Sequence, residues 1–302
     1  MTQTNTPEDS RKALAEAEEA VRRDPGSGEA WGRLGCAYNY FEAYELACAA
    51  LEKAVQLAPR EAMYWHGLGR ARLDLGHPQE ALAPARQAVE LEPRRPQARL
   101  LLARVLGRLG LVRQAILHLE EAARLDPKWP TPLADLGWAH TTLRDYAVAG
   151  EFFEAALQLE PDQPELWSAL GGCLIEREQP GRAVPALETA VFLQPQDGVA
   201  WARLGCAYQQ TGRSADAAPA FARGIELGCR AGWMWFWAGA AAAAVGDREG
   251  LERARRELER LDARLARDLE DEVRKLAGSA APAARDSQAP DAGQDREEAG
   301  SC

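Results

Sequence analysis

No run of apolar residues in this chain is long enough to cross a bilayer, which excludes a membrane-spanning helix and with it membrane insertion. The opening residues, MTQTNTPEDSRK, lack the apolar core of a signal peptide, so a cytoplasmic location is the expectation. Cysteine is sparse: Cys36, Cys48, Cys173, Cys206, Cys229 and Cys302 stand far apart, with no CxxC pair and no Cys/His spacing that would grip zinc. Free thiols in a reducing compartment are expected. The four histidines, His66, His77, His118 and His140, also lack ligand spacing, which leaves them turn, surface or packing roles and no metal. Gly26-Ser27-Gly28 followed by Gly32 is not a phosphate loop, because no strand precedes it and the spacing differs. With no nucleophile, base and orienting group in any recognisable pattern, the chain reads as non-enzymatic and without a cofactor.

Positive charge is in deficit, 36 Lys and Arg against 46 Asp and Glu, for a net charge of -10. Such a surface neither releases counterions from a phosphate backbone nor meets anionic headgroups, so nucleic acid is not an expected partner. One stretch departs from the balance. Residues 94 to 113 hold six arginines (Arg94, Arg95, Arg99, Arg104, Arg108 and Arg113) and no acidic residue.

What the chain has is a period. Proline recurs every 34 residues, at Pro25, Pro59, Pro93, Pro127, Pro161 and Pro195, and the six segments from 28 to 229 align on it without gaps. A single compact core has no reason to repeat its punctuation, whereas an array of units that bury their apolar faces only against neighbours must. In each unit a large residue (Trp31, Trp65, Arg99, Leu133, Trp167, Trp201) precedes a leucine by three positions, which places both on one helical face. The next residue is glycine in all units but the third (Gly35, Gly69, Ala103, Gly137, Gly171, Gly205), at the cost of helix propensity. Alanine recurs in the second half at Ala47, Ala81, Ala115, Ala149, Ala183 and Ala217, and these small residues are expected to face one another across an antiparallel helix pair. Turn signals at Gly76, Gly110 and Gly212 separate the halves. Pro84, Pro185 and Pro219 fall inside second helices, where a missing N–H and a ring clash predict irregular helices.

The set Trp31, Leu34, Gly35, Tyr38, Ala47, Leu51, Ala54 and Pro59 resembles a tetratricopeptide repeat, and Trp201, Leu204, Gly205, Tyr208, Ala217 and Phe221 repeat it in the sixth unit. The middle units depart from it: Arg72, Leu106, His140 and Leu174 stand where Tyr38 and Tyr208 do, and the sixth unit closes on Cys229 in place of proline. The resemblance implies an all-α fold, a right-handed superhelical solenoid of antiparallel helix hairpins, with the first helix of each hairpin lining an inner, concave face. That face implies a groove for a protein or peptide, made by Asn39, Tyr40, Met63, His66, Arg70, Gln97, Arg104, Arg108, Asp135 and Trp138. Arg70 and Arg104 occupy equivalent places in adjacent units; they would clamp a carboxylate of an acidic segment, or else lie as a solvated basic face. Lysines and asparagines that in some family members hold a chaperone's C-terminal carboxylate have no counterpart here, where Gly32, Cys36, Gly67, Gln97 and Leu101 stand instead.

Both ends of the array differ from its middle. Residues 1 to 10 are expected to be disordered, 11 to 27 to form a half-repeat cap, 28 to 229 six repeats, 230 to 277 a degenerate seventh repeat with a capping helix, and 278 to 302 a disordered tail. Trp233, Trp235, Phe236 and Trp237 crowd one short stretch, too many for one helix face, so either the C-terminal helix covers them or a partner does. Trp233, Phe236 and Trp237 thus mark a possible second interface. Together with the leucine-rich segment Leu258 to Leu276 it offers an alternative function, self-assembly into a weak homo-oligomer in place of a monomer.

Overall fold

The computed structural model describes residues 7 to 280, and among these the chain forms sixteen α-helices and no strand. It divides after Gln179 into two compact units. The first contains α1 (Pro7–Arg23), α2 (Gly28–Tyr40), α3 (Tyr44–Leu57), α4 (Ala62–Asp74), α5 (Pro78–Leu91), α6 (Pro96–Arg108), α7 (Val112–Leu125), α8 (Pro130–Thr142), α9 (Tyr146–Leu159) and α10 (Pro164–Glu176). The second contains α11 (Pro180–Leu193), α12 (Gly198–Gln210), α13 (Ser214–Glu226), α14 (Gly232–Val245), α15 (Arg248–Leu261) and α16 (Ala263–Ala280). Helix starts repeat at the sequence period: 28, 62, 96, 130, 164, 198 and 232 for the first helices, and 44, 78, 112, 146, 180, 214 and 248 for the second. In the first unit α2 packs on α3, α4 on α5, α6 on α7 and α8 on α9; in the second, α12 packs on α13 and α14 on α15.

The turn that closes the first helix of each repeat is built alike. Residues 42, 76, 110, 144, 178, 212 and 246 all have positive φ. Around each, two crossed hydrogen bonds close the helix, as where Gly76 N donates to Leu73 O at 2.9 Å and His77 N to Arg72 O at 2.9 Å. This is the Schellman arrangement, which satisfies carbonyls that the helix leaves unpaired. Four of the seven are the glycines Gly76, Gly110, Gly212 and Gly246, but Glu42, Arg144 and Glu178 adopt the same left-handed backbone. Hydrogen-bond closure outweighs the steric cost at these three.

The hairpin interior differs from a plain meeting of small residues. A Cβ on Gly137 would stand 2.5 Å from the Phe153 ring, so this glycine makes room for a large side chain of the second helix. Phe153 is thereby fully buried, a placement that contributes about 1.5–3 kcal/mol. At Gly69 the neighbours of the absent Cβ include backbone as well as a side chain, with Leu101 Cδ2 at 3.1 Å and Ala85 N at 3.3 Å. Ala47, Ala81, Ala115, Ala149, Ala183 and Ala217 are nevertheless all buried, in keeping with close helix packing.

Helix α1 begins at Pro7 and α16 runs on to Ala280, and the rest of the ends expected to lack structure, residues 1 to 6 and 281 to 302, lies outside the described residues. One expectation is corrected. Helices α5, α11 and α13 run unbroken through Pro84, Pro185 and Pro219. At Pro84 the reason is visible: the Glu80 carbonyl, which the missing N–H would have bonded, accepts from Arg72 Nη1 at 3.1 Å. Helix α15 also contributes a small contact residue: Ala254 is fully buried 3.0 Å from where a Gly239 Cβ would stand.

The departures within the repeat also find their roles. Tyr38 donates to Glu18 at 3.3 Å, Tyr208 to Glu188 at 2.7 Å, and Arg72 in the equivalent place to Glu52 at 2.8 Å. The arginine thus retains the donor that tyrosine supplies. Burial, helped by Glu188, pushes the Tyr208 hydroxyl up to about 12. Where Cys229 replaces proline, α13 ends one residue early and Gly228, at φ 86°, closes it.

Candidate functional site

Because the repeat has a fixed length, residues 34 apart form ladders along the first helices of the hairpins. In the first unit one ladder is Cys36, Arg70, Arg104 and Trp138, and its neighbour is Tyr40, Asp74, Arg108 and Thr142. Two clefts lie along them.

The central cleft, of about 530 Å³, is lined by residues of α4, α6, α7 and α8, among them Asp74, Arg104, Arg108, Asp135, Trp138 and Thr142. Arg104 is not free to clamp a ligand as the sequence suggests: its Nε donates to Asp135 Oδ2 at 2.7 Å and its Nη2 to Oδ1 at 3.4 Å. Arg70 also meets a carboxylate, Asp74, at 3.5 Å. Each of these two arginines is therefore matched by an aspartate, and the cleft holds the Arg104–Asp135 pair beside the exposed Arg108, while Arg70 is not among its lining residues. Trp138 stands 43% exposed, its ring set edge-on against Phe153 at 5.1 Å between centroids. A tryptophan fixed on a buried ring and open to solvent presents apolar surface at little entropic cost.

The first cleft, of about 480 Å³, lies between α1 and α2 and takes in Tyr40, Phe41 and Met63. Tyr40 is 61% and Met63 45% exposed. Cys36 lines the same cleft, and burial pushes its thiol up from the ordinary range, which makes it a poor nucleophile.

The remaining candidates separate. Asn39 is buried, not presented: its Nδ2 donates to Gly67 O at 3.0 Å, tying α2 to α4, so it leaves the list of groove residues. His66 is partly buried, and burial first, then Arg95, holds its pKa down against a backbone hydrogen bond with Gln97. Gln97 itself is exposed. In the second unit, Met234 and Trp235 are buried, Phe236 and Trp237 are partly covered and meet edge-on at 5.2 Å, and Trp233 stays 39% exposed. Helix α16 covers one side of α14: Leu269 stands 2.7 Å from the position of a Gly239 Cβ, and Leu265 3.3 Å from that of Gly232.

Asp74, Leu73 and Val112 are site residues that sequence reasoning passed over. The signal for Asp74 was present, since it is one period before Arg108. Among the described residues no helix is long and apolar enough to cross a membrane, and no group of His, Cys, Asp and Glu is placed to hold a metal ion.

Three family models, each described as tetratricopeptide repeat, match residues 142–204, 66–130, and 28–61 with 199–227. No curated protein matches the chain. Among solved structures it is similar to the APC/C hetero-tetramer Cut9-Hcn1, at 19% identity and a TM-score of 0.60, over 87% of this chain and 52% of that one. The chain thus spans about half of that protein's length. It is also similar to YrrB, described as a TPR protein with an unusual peptide-binding site, at 24% identity and a TM-score of 0.55, over 62% of this chain and 97% of that one. A third likeness is to pilF of Pseudomonas aeruginosa, at 19% identity and a TM-score of 0.62, over 70% of this chain and 97% of that one. At these identities the likeness is one of fold.

Proposed function

Since the chain belongs to the tetratricopeptide repeat family, whose members mediate protein–protein interactions, we propose that it is a non-catalytic scaffold whose central cleft holds a segment of a partner protein. The observation that carries this reading is Trp138, 43% exposed in a cleft it shares with Arg108 and the Arg104–Asp135 pair. An apolar side chain of the partner would cover the indole, and an acidic residue beside it would meet Arg108, or Arg104 in exchange for Asp135. A peptide-binding site in the similarly folded YrrB supports this use of the scaffold.

A peptide array read with the full chain tests it. Bound peptides should share an aromatic or aliphatic residue next to an acidic one. Trp138→Ala should weaken the best of them at least tenfold, as expected for a central aromatic anchor. Arg108→Ala should flatten the salt dependence, because one exposed charge contact is lost. Unchanged binding in both variants would remove the cleft from the function.

Trp233 supports a second reading, self-assembly through α14, since it stays exposed although α16 packs on the same helix. Light scattering over a concentration series separates the two: a strict monomer excludes self-assembly.

A further inference from the structure

Two arginines line the central cleft, Arg104 and Arg108, about one turn apart on α6, and they are not equivalent. Arg104 is held: its Nε and Nη2 reach both oxygens of Asp135, whose side chain is only 23% exposed. Arg108 is exposed and, among the described residues, makes no hydrogen bond or ion pair. Asp74, which also lines the cleft, is met by Arg70. Among the charged residues of the cleft and their partners, one positive charge is thus left over, and it sits on Arg108. The repeat fixes its place. On α8 the cleft is lined by Asp135, Trp138 and Thr142 in that order; Arg104 reaches the Asp135 end, and Arg108 stands one period before Thr142, at the other.

We infer, on the reading of this cleft as the binding site, that Asp135 is its specificity-determining residue. By occupying Arg104 it leaves a single carboxylate subsite, Arg108, on one side of Trp138, and it turns away an acidic residue on the other side. A partner carboxylate that approaches Arg104 must break a two-point bond between charged groups in order to make one of the same kind. It gains no contact by the exchange. Asp135 is then left unpaired and largely covered beside a second negative charge, the like-charge juxtaposition by which interfaces reject wrong partners. At Arg108 no bond has to break. The segment that suits the cleft therefore carries an apolar residue for Trp138, one acidic residue toward Arg108, and a neutral residue toward Asp135.

The probes are the tightest-binding peptide of the array and two altered forms of it, labelled for fluorescence anisotropy with the full chain. In one the acidic residue is changed to the corresponding amide; in the other a second glutamate is placed on the opposite side of the apolar residue. The native chain should bind the amide form at least threefold more weakly than the parent peptide, and the second-glutamate form no more tightly. Asp135→Asn, with its thermal midpoint checked, should reverse the order and bind the second-glutamate form at least threefold more tightly than the parent. Tighter binding of that form by the native chain would overturn the role of Asp135, whatever the variant does. So would an Asp135→Asn chain in which the ratio of the two peptides is unaltered, the result expected if Asp135 only braces α6 and α8. Either result leaves the cleft itself in place, whereas an array with no binder sensitive to Trp138→Ala removes the cleft and this role together.

Discussion

Arg99 Nε donates to the Pro93 carbonyl at 2.8 Å. In four other units the same bond is made by an indole: Trp31 to Pro25 at 2.9 Å, Trp65 to Pro59 at 2.8 Å, Trp167 to Pro161 at 2.7 Å and Trp201 to Pro195 at 3.0 Å. The proline that marks the period is thus coupled to the large residue opening the next unit, and arginine serves because it supplies an N–H at similar reach. Arg99 is therefore a structural member of the arginine-rich stretch. Arg99→Leu, which imitates Leu133, should cost about 1 kcal/mol, the usual worth of one intramolecular hydrogen bond. Arg99→Trp should cost much less, and urea denaturation of the two variants checks the difference.

The left-handed turns offer a second measurement. Glu42, Arg144 and Glu178 hold φ of 57°, 62° and 56°, where glycine is free of the Cβ clash. Glu178→Gly should raise stability by up to about 1 kcal/mol, the steric relief exceeding the added entropy of the unfolded chain. Gly76→Ala, at φ 81°, should lower it by about the same amount. Opposite shifts in thermal midpoint are expected, and shifts of one sign would mean that something other than the backbone decides these turns.

These turns also show what the sequence made legible. Three of the seven were read directly, because Gly76, Gly110 and Gly212 announce a left-handed residue. Glu42, Arg144 and Glu178 carry no such mark and are visible only through the period, which places them where the glycines are. The central cleft follows the same logic. Arg104, Arg108, Asp135 and Trp138 were legible as a group because the register makes them neighbours, but the bond between Arg104 and Asp135 was not. It joins positions 31 apart on α6 and α8, and only the folded placement of the two helices sets which carboxylate an arginine reaches. Asn39 misled for the opposite reason: a polar residue reads as surface until a specific acceptor, the Gly67 carbonyl, is found for it.

Pro84 and Arg72 should be coupled although α4 and α5 hold them apart in sequence. Arg72 Nη1 serves the Glu80 carbonyl that Pro84 cannot, while its Nη2 serves Glu52 at 2.8 Å. Arg72→Ala should therefore cost about 1–2 kcal/mol, combining two partly exposed hydrogen bonds to a charged donor. In a Pro84→Ala background the backbone N–H gained at that position takes over the Glu80 carbonyl, so the same change should cost less. A double-mutant cycle in urea reads the coupling as a difference of about 0.5 kcal/mol or more, and strict additivity would show that water already satisfies Glu80.

Stability should fall on mild acidification, well before the carboxylates titrate. Burial, with Arg95 and Arg70 nearby, holds His66 below its ordinary value of 6.5, and burial with Arg99 and Arg86 does the same for His118. A lowered histidine pKa means that the unfolded chain binds the proton more readily than the folded one. The associated stability is complete above about pH 6.5 and is lost as the pH falls through that value toward the folded pKa. Glu19 and Glu121, held below 4.5 chiefly by hydrogen bonds from Arg23 and Arg124, act only in a lower window, losing stability as the pH falls through and below that value. Thermal midpoints at constant ionic strength should therefore decline between about pH 7 and 5.5 in the native chain. The variant carrying both His66→Gln and His118→Gln should be flatter over that interval and show the same fall as the native chain below it, because its carboxylates are unaltered.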